Sequence, residues 1–176
     1  MRPPFFFPRW TGFGSPPAQT TPVSMPPLVP PASPPRDARR DRIGREVLLV
    51  APRFARDGGV WFDEEHGNWL RIPRYPLPSR WAVRSAQLLI LFPSEYPLTP
   101  PIGFYLDRGL PLRGDYHDPY FIGFGAHGAP DLRGQHWYWY CLRILDHAWR
   151  ASSDYRQSDN LVSYLAIVDD ALARHD

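Results

Sequence analysis

Cys141 is the only cysteine among the 176 residues of this chain. It lies in an aromatic and apolar run, Trp-Tyr-Trp-Tyr-Cys-Leu-Arg-Ile-Leu at 137–145. A lone thiol in such a run is either space-filling or the reactive atom of the protein, because a thiolate is a strong nucleophile. No phosphate-binding loop or other obvious nucleophile competes with it. The choice between these two interpretations therefore decides the function.

Histidines are the remaining candidates for chemistry, and they do not suggest a metal site. His117, His127, His136 and His147 recur at intervals of about ten residues, without the close Cys or His pairs that zinc sites use. A loop histidine such as His117 can act as an acid or base, although most loop histidines have no such role. The sequence predicts neither a metal ion nor an organic cofactor.

Charge and composition exclude several classes of protein. All 20 basic residues are arginine, but they alternate with acids and the formal net charge is only +2, so no dense basic stripe for nucleic acid is expected. No stretch reaches the roughly 20 apolar residues that span a bilayer. The first ten residues lack the apolar segment of a secretory signal, and one cysteine allows no internal disulfide. We expect a cytoplasmic protein without nucleic-acid or membrane partners.

The chain divides into a tail and a domain. Residues 1–35 hold 12 of the 23 prolines and have no periodic apolar pattern, which predicts a disordered tail. The domain at 36–176 begins with an amphipathic helix that is expected to end before Pro52, since proline disfavours helix at the preceding residue. Its apolar positions are Ile43, Val47 and Val50, with Leu48 and Leu49 beside them.

Four short β-prone runs follow, at 60–62, 69–72, 82–92 and 102–106, and they predict a four-stranded antiparallel meander. About thirty irregular residues after Asp107 have the character of a functional loop. A last amphipathic helix is predicted after the capping signal Ser-Asp-Asn at 158–160, and the class is α+β. Its apolar positions are Leu161, Tyr164, Leu165, Val168 and Leu172.

In this order, four segments resemble the ubiquitin-conjugating enzyme family, and in particular its divergent prokaryotic members. Residues 42–47 are similar to the first helix, and 92–102 contain the Tyr-Pro-x-x-Pro-Pro signature. Cys-Leu-Arg-Ile-Leu at 141–145 with Trp149 is similar to the catalytic Cys-Leu-x-Ile-Leu and the Trp that follows it. Residues 160–174 are similar to the crossing helix. The resemblance covers about 37–175 and implies a UBC-like fold.

The resemblance implies an enzyme. Cys141 would accept the C-terminus of a ubiquitin-like protein as a thioester from an activating enzyme of the ThiF-like adenylating type, and would pass it to an amine on an acceptor protein. Bacterial conjugation systems of this kind include some that defend against phage. A chain without lysine would also escape modification by its own thioester, although a GC-rich genome is the simpler explanation of the missing lysines.

Two departures from the family pattern affect this expectation. The usual His-Pro-Asn before the cysteine is absent, and its nearest substitutes are His127 and Asp131, with His136 closer to Cys141. An imidazole or a backbone N–H would then replace the amide that stabilises the oxyanion. The sequence also ends at Asp176, directly after the crossing helix, so the last two helices of the eukaryotic fold are expected to be absent.

Two other functions remain open from the sequence. A non-catalytic relative would use the same fold to hold a ubiquitin-like protein or its activating enzyme, and the missing His-Pro-Asn favours it. A cysteine hydrolase would pair Cys141 with a histidine oriented by Asn or Asp, usually with the cysteine at a helix N-terminus. Around the cysteine, Tyr138 and Tyr140 either pack or line an acceptor channel, and Arg143 either favours the thiolate or is a surface residue.

Overall fold

Two α-helices and a five-stranded sheet make up the described part of this computed structural model, which covers residues 36–107, 128–142, 144 and 148–173. The elements in chain order are α1 (Arg36–Phe54), β1 (Trp61–Phe62), β2 (Trp69–Pro76), β3 (Ser85–Leu91), β4 (Gly103–Leu106), a 3₁₀ helix (Arg133–Gln135), β5 (Tyr138–Cys141) and α2 (Leu161–Ala173). The predicted α+β class is confirmed. The predicted tail at 1–35 and most of the predicted irregular loop lie outside the described residues.

The sheet is antiparallel throughout, and its strands lie side by side in chain order. The prediction of four strands is wrong by one, because β5 adds a fifth that carries the cysteine. β5 pairs with β4 from Leu106↔Tyr138 to Gly103↔Cys141. Four aromatic and apolar residues form a strand here because β4 offers a free edge. This pairing spans more than thirty residues, so no local pattern could reveal it.

β2 is longer than predicted and continues through two prolines to Pro76. A register shift between Ile72 and Tyr75 makes this possible. Pro73 and Arg74 together oppose the single residue Gln87 of β3, which is the arrangement of a β-bulge. A residue at a bulge is released from the regular ladder, so a proline without an N–H is tolerated there.

α1 also passes through a proline, so the predicted end before Pro52 is wrong and the helix continues to Phe54. Proline in the last turn removes only one hydrogen bond, to the carbonyl of Leu48. Leu48 is 72% exposed, so that carbonyl lies on the side of the helix that water reaches. Continuing the helix also buries Phe54 completely, and this apolar contact offsets the lost hydrogen bond.

The main core joins both helices to one face of the sheet. The predicted stripe Ile43, Val47 and Val50 of α1 is buried, whereas Leu48 and Leu49 face outward. The predicted α2 stripe is confirmed at all of its positions, and the side chain of Asn160 caps the helix by accepting a 2.7 Å hydrogen bond from the N–H of Val162. The sheet contributes alternate residues: Leu70, Ile72, Leu88, Ile90, Phe104, Leu106 and Tyr140.

A buried carboxylate joins the two helices to the segment between β3 and β4. Glu46 of α1 is fully buried and accepts hydrogen bonds from the Arg42 guanidinium, the Tyr96 hydroxyl and the backbone N–H of Leu161, the last at 2.8 Å. Leu161 is the first residue of α2, where the helix dipole favours a negative charge. Tyr96 precedes a cis peptide bond to Pro97. This network fixes the N-terminal end of α2 relative to α1.

Candidate functional site

Cys141 is the last residue of β5 and is half-buried. Because side chains alternate along a strand, it points to the face of the sheet opposite the main core. It contacts a smaller apolar cluster there, whose buried members are Leu89, Tyr105, Ala129 and Trp139. A purely space-filling thiol would be expected to be fully buried, since cysteine is among the most buried residue types. Cys141 as a residue is instead only partly buried.

Gly103 of β4 lies directly opposite Cys141 in the ladder. The N–H of the next residue, Leu142, donates to the carbonyl of Ile102 at 3.0 Å, so by alternation Gly103 and Cys141 form a non-hydrogen-bonded pair. In such pairs the Cα atoms approach to about 4.5 Å. A methyl group on Gly103 would lie 2.6 Å from Nε1 of Trp139 and even closer to the carbonyl oxygen of Tyr140. Only glycine therefore lets the indole lie beside the cysteine.

A pocket of about 500 Å³ is lined by Gly103 of this pair, while Cys141 lies beside it and does not line it. Gly103, Trp139 and Tyr105 form its floor, and the segment before the 3₁₀ helix supplies Ala129 and Pro130. The Tyr105 hydroxyl donates to the carbonyl of Pro130 at 2.8 Å and holds that segment against the sheet. The rest of the lining is Asn68, Leu91, Phe92, Pro93, Ile102 and Gly128. The pocket is mainly apolar and is of the size that holds a small ligand or a side chain.

Asp131 follows this segment and is engaged by Arg133. The carboxylate accepts hydrogen bonds from Nε and Nη2 of Arg133, the shorter at 2.7 Å, and from the Arg133 backbone N–H. These bonds from Arg133 lower the pKa of Asp131 to about 2. An ionised carboxylate accepts hydrogen bonds and cannot donate one. Asp131 itself is thus unsuited to stabilising an oxyanion near neutral pH.

His136 lies at the other end of β5 from Cys141. It follows the 3₁₀ helix in a left-handed conformation, with φ at 61°, and it is exposed. Its backbone N–H donates to the carbonyl of Arg133 at 2.8 Å. The four residues of β5 span about 10 Å, so the structure separates the imidazole from the thiol along the strand. His127, the other predicted imidazole, lies outside the described residues, as do His117 and Arg143.

Two tyrosines near the site are held neutral by their surroundings. Burial is the main cause that raises the pKa of Tyr105 to about 12, and the charge of Asp131 adds to it. Tyr164 of α2 is fully buried, and burial, the nearby Tyr75 and the nearby Cys141 raise its pKa well above the ordinary value. Both hydroxyls therefore remain hydrogen-bond donors at neutral pH.

Comparison with known proteins adds no family to this geometry. No protein-family model, no curated protein and no solved structure matches the chain. In the part of the chain that the structure describes, no group of three His, Cys, Asp or Glu side chains is arranged to hold a metal ion. Within the same residues, neither helix combines the length and apolar character needed to cross a bilayer.

Cys141 remains the candidate that the sequence offered, and its strand neighbour Trp139 packs in the apolar cluster beside it. Sequence reasoning missed Gly103 and Tyr105, which β4 brings to β5 through strand pairing, and Ala129 and Pro130, which the packing of their segment brings there. One signal was present in the sequence, because a glycine inside a predicted strand often marks a close approach of another group. Tyr164 was predicted as a core position, but its hydrogen bond to the carbonyl of Gly103 at 2.8 Å depends on the tertiary fold.

Proposed function

We propose that this protein is a conjugating enzyme that carries a ubiquitin-like protein as a thioester on Cys141. The observation that carries the proposal is the position of the only thiol, half-buried at the end of β5 and beside an apolar pocket. The element order, a helix, an antiparallel meander, a cysteine and a crossing helix, also agrees with the family resemblance. The expected partners are an activating enzyme, a ubiquitin-like protein and an amine on an acceptor protein.

The chemistry needs two acyl transfers and no cofactor. The Cys141 thiolate attacks the thioester carbonyl held by the activating enzyme, and the enzyme's sulfur leaves as a thiolate. An acceptor amine then attacks the new thioester, Cys141 leaves as a thiolate, and the amine loses its proton as the amide forms. Each transfer passes through a tetrahedral oxyanion, which preorganised donors stabilise.

The oxyanion donor is the part of the site that departs most from the family. Asp131 is an ionised carboxylate held by Arg133, and His136 precedes the far end of β5. These two observations favour the second function, a scaffold that binds a ubiquitin-like protein without chemistry. A backbone N–H near Cys141, or His127, would have to supply the donor if the protein is an enzyme.

The deciding experiment incubates the purified chain with a candidate activating enzyme, its ubiquitin-like protein and ATP, and resolves the products on a non-reducing gel. Wild type should give an adduct that dithiothreitol removes. Cys141→Ala should give none, and Cys141→Ser should give none or a reductant-resistant ester. Binding of the ubiquitin-like protein without any adduct in wild type would reject the enzyme and favour the scaffold.

A further inference from the structure

The carbonyl group of Gly103 has an unusual position in the sheet. Because Gly103 and Cys141 form a non-hydrogen-bonded pair, this carbonyl points away from β5 and towards the β3 side. The ladder between β3 and β4 has ended before it reaches Gly103, since its last pair is Leu89↔Tyr105. The strand segment opposite the cysteine is thus held to the sheet by β5 and by contacts outside the regular ladder.

Tyr164 supplies one of these contacts. Its hydroxyl donates to the carbonyl of Gly103 at 2.8 Å, and the side chain is fully buried. The phenol crosses the main core from α2 to the one residue of β4 that faces Cys141. A buried carbonyl that loses its donor is costly, so this bond resists movement of β4 at Gly103.

We propose that Tyr164 is a positioning residue for Cys141: its hydroxyl holds the Gly103 carbonyl and so fixes the strand segment that faces the thiol. The inference rests on the proposed function, because it takes Cys141 as the reactive group. It implies that the half-buried state of the sulfur is maintained from α2, on the opposite face of the sheet. Loss of the hydroxyl should loosen the pairing of Gly103 with Cys141 and expose the thiol.

Alkylation of Cys141 by iodoacetamide tests this directly. Cys141 is the only cysteine, so the intact mass of the protein, corrected for the alkylation seen in Cys141→Ala, reports its modification. The rate is recorded from pH 6 to pH 10, which separates the limiting rate of the thiolate from the midpoint of its titration. In Tyr164→Phe the limiting rate should rise about fivefold, as expected when one buried hydrogen bond no longer opposes local opening.

Tyr75→Phe is the matched control. Tyr75 of β2 also sends its hydroxyl across the core to α2, where it donates to the Asp169 carboxylate and to the carbonyl of Leu165 instead of to Gly103. Its limiting alkylation rate should stay within about twofold of wild type, since Tyr164 and its bond to the Gly103 carbonyl are retained. Urea unfolding of both variants gives their global stability at the same pH.

Three results would overturn the proposal. They are an unchanged rate in Tyr164→Phe, a rise that both variants share in proportion to lost global stability, and a change in the titration midpoint without a change in the limiting rate. The probe requires no conjugation partner. A failed thioester assay with a positive alkylation result would therefore reject the proposed function and leave the positioning role of Tyr164 intact.

Discussion

The two faces of the sheet differ in how they are covered. On one face, α1 and α2 form a continuous core with the inward residues of the strands, and the Glu46 network joins the middle of α1 to the first residue of α2. On the other face, three buried sheet residues, Leu89, Tyr105 and Trp139, are covered by the short segment around Ala129 and Pro130. Cys141 lies on this second face, where the pocket opens.

This difference suggests that one face mainly provides stability and the other carries the candidate site. Burial of apolar surface is the main source of stability, so the helix-covered face should provide most of it. The face that carries Cys141 should contribute less to stability, so a partly exposed cysteine and a pocket on this face cost little free energy of unfolding. Gly103 and Tyr164 connect the faces, because the glycine faces the cysteine while its carbonyl is held from α2. Mutations can test whether the two faces contribute independently to the free energy of unfolding and to thioester formation.

The largest effect is expected at Glu46. Glu46→Ala removes the partner of the buried Arg42 and the acceptor for Tyr96 and for the first N–H of α2. The free energy of unfolding in urea should fall by about 3–5 kcal/mol, because an uncompensated buried charge remains. Asp41→Asn on the same helix is the control, since its pair with Arg40 is at the surface, and it should leave the unfolding curve nearly unchanged. If both variants lowered the free energy of unfolding by a similar amount, the buried Glu46 network would not be a special source of stability.

The next effect compares two leucines on β3 that face opposite sides. Leu88 is fully buried in the main core, whereas Leu91 is half-buried beside the pocket. Leu88→Ala should lower the free energy of unfolding by about 2–5 kcal/mol, which is typical of a core cavity, and Leu91→Ala by about 1 kcal/mol. Equal losses would show that both faces contribute alike. If Leu91→Ala also slows thioester formation, the pocket takes part in the reaction.

Gly103→Ala should affect both faces moderately. The added methyl group would meet Trp139 and the carbonyl of Tyr140, so β5 must shift. We expect a loss of about 1–3 kcal/mol in urea unfolding, as for overpacking, and a larger relative loss of thioester formation.

Gly44→Ala in α1 is the matched change. Its methyl group would be 3.6 Å from the ring of Phe62, an ordinary contact, and alanine favours the helix by up to about 1 kcal/mol. It should stabilise the protein without altering Cys141. For Gly103→Ala itself, normal thioester formation would show that the reaction does not depend on the pairing of β4 with β5 at Cys141.

The smallest effect is expected at the exposed pair of Asp131 and Arg133. The folded pKa of Asp131 is about 2, below the ordinary value, so the pair's contribution to stability is complete above about pH 4 and is lost as the pH falls through 2. An NMR titration of the Asp131 carboxyl should show this midpoint. Arg133→Gln should return it towards the ordinary value, and an unchanged midpoint would assign the shift to another cause.

The sequence predicted the helices and most of the strands because these elements depend on local patterns. The stripe of α2 and the capping Asn160 follow from the 3.6-residue period and from hydrogen bonding within one turn. The errors have a common origin. The helix through Pro52, the bulge at Pro73 and the strand β5 each require a distant partner that outweighs a local preference.

Residue type and spacing were enough to predict the α+β class and the helix positions that face the main core, and they made Cys141 the candidate for the reactive group. The surroundings of Cys141, in contrast, depend on how the strands and helices pack. Gly103 lies opposite Cys141 through strand pairing, and the indole of Trp139 fits in the space that Gly103 leaves. Tyr164 acts on Gly103 and not on Cys141 itself, because its hydrogen bond goes to the Gly103 carbonyl. These contacts join residues far apart in the chain, and their geometry is fixed only when the sheet and helices pack together.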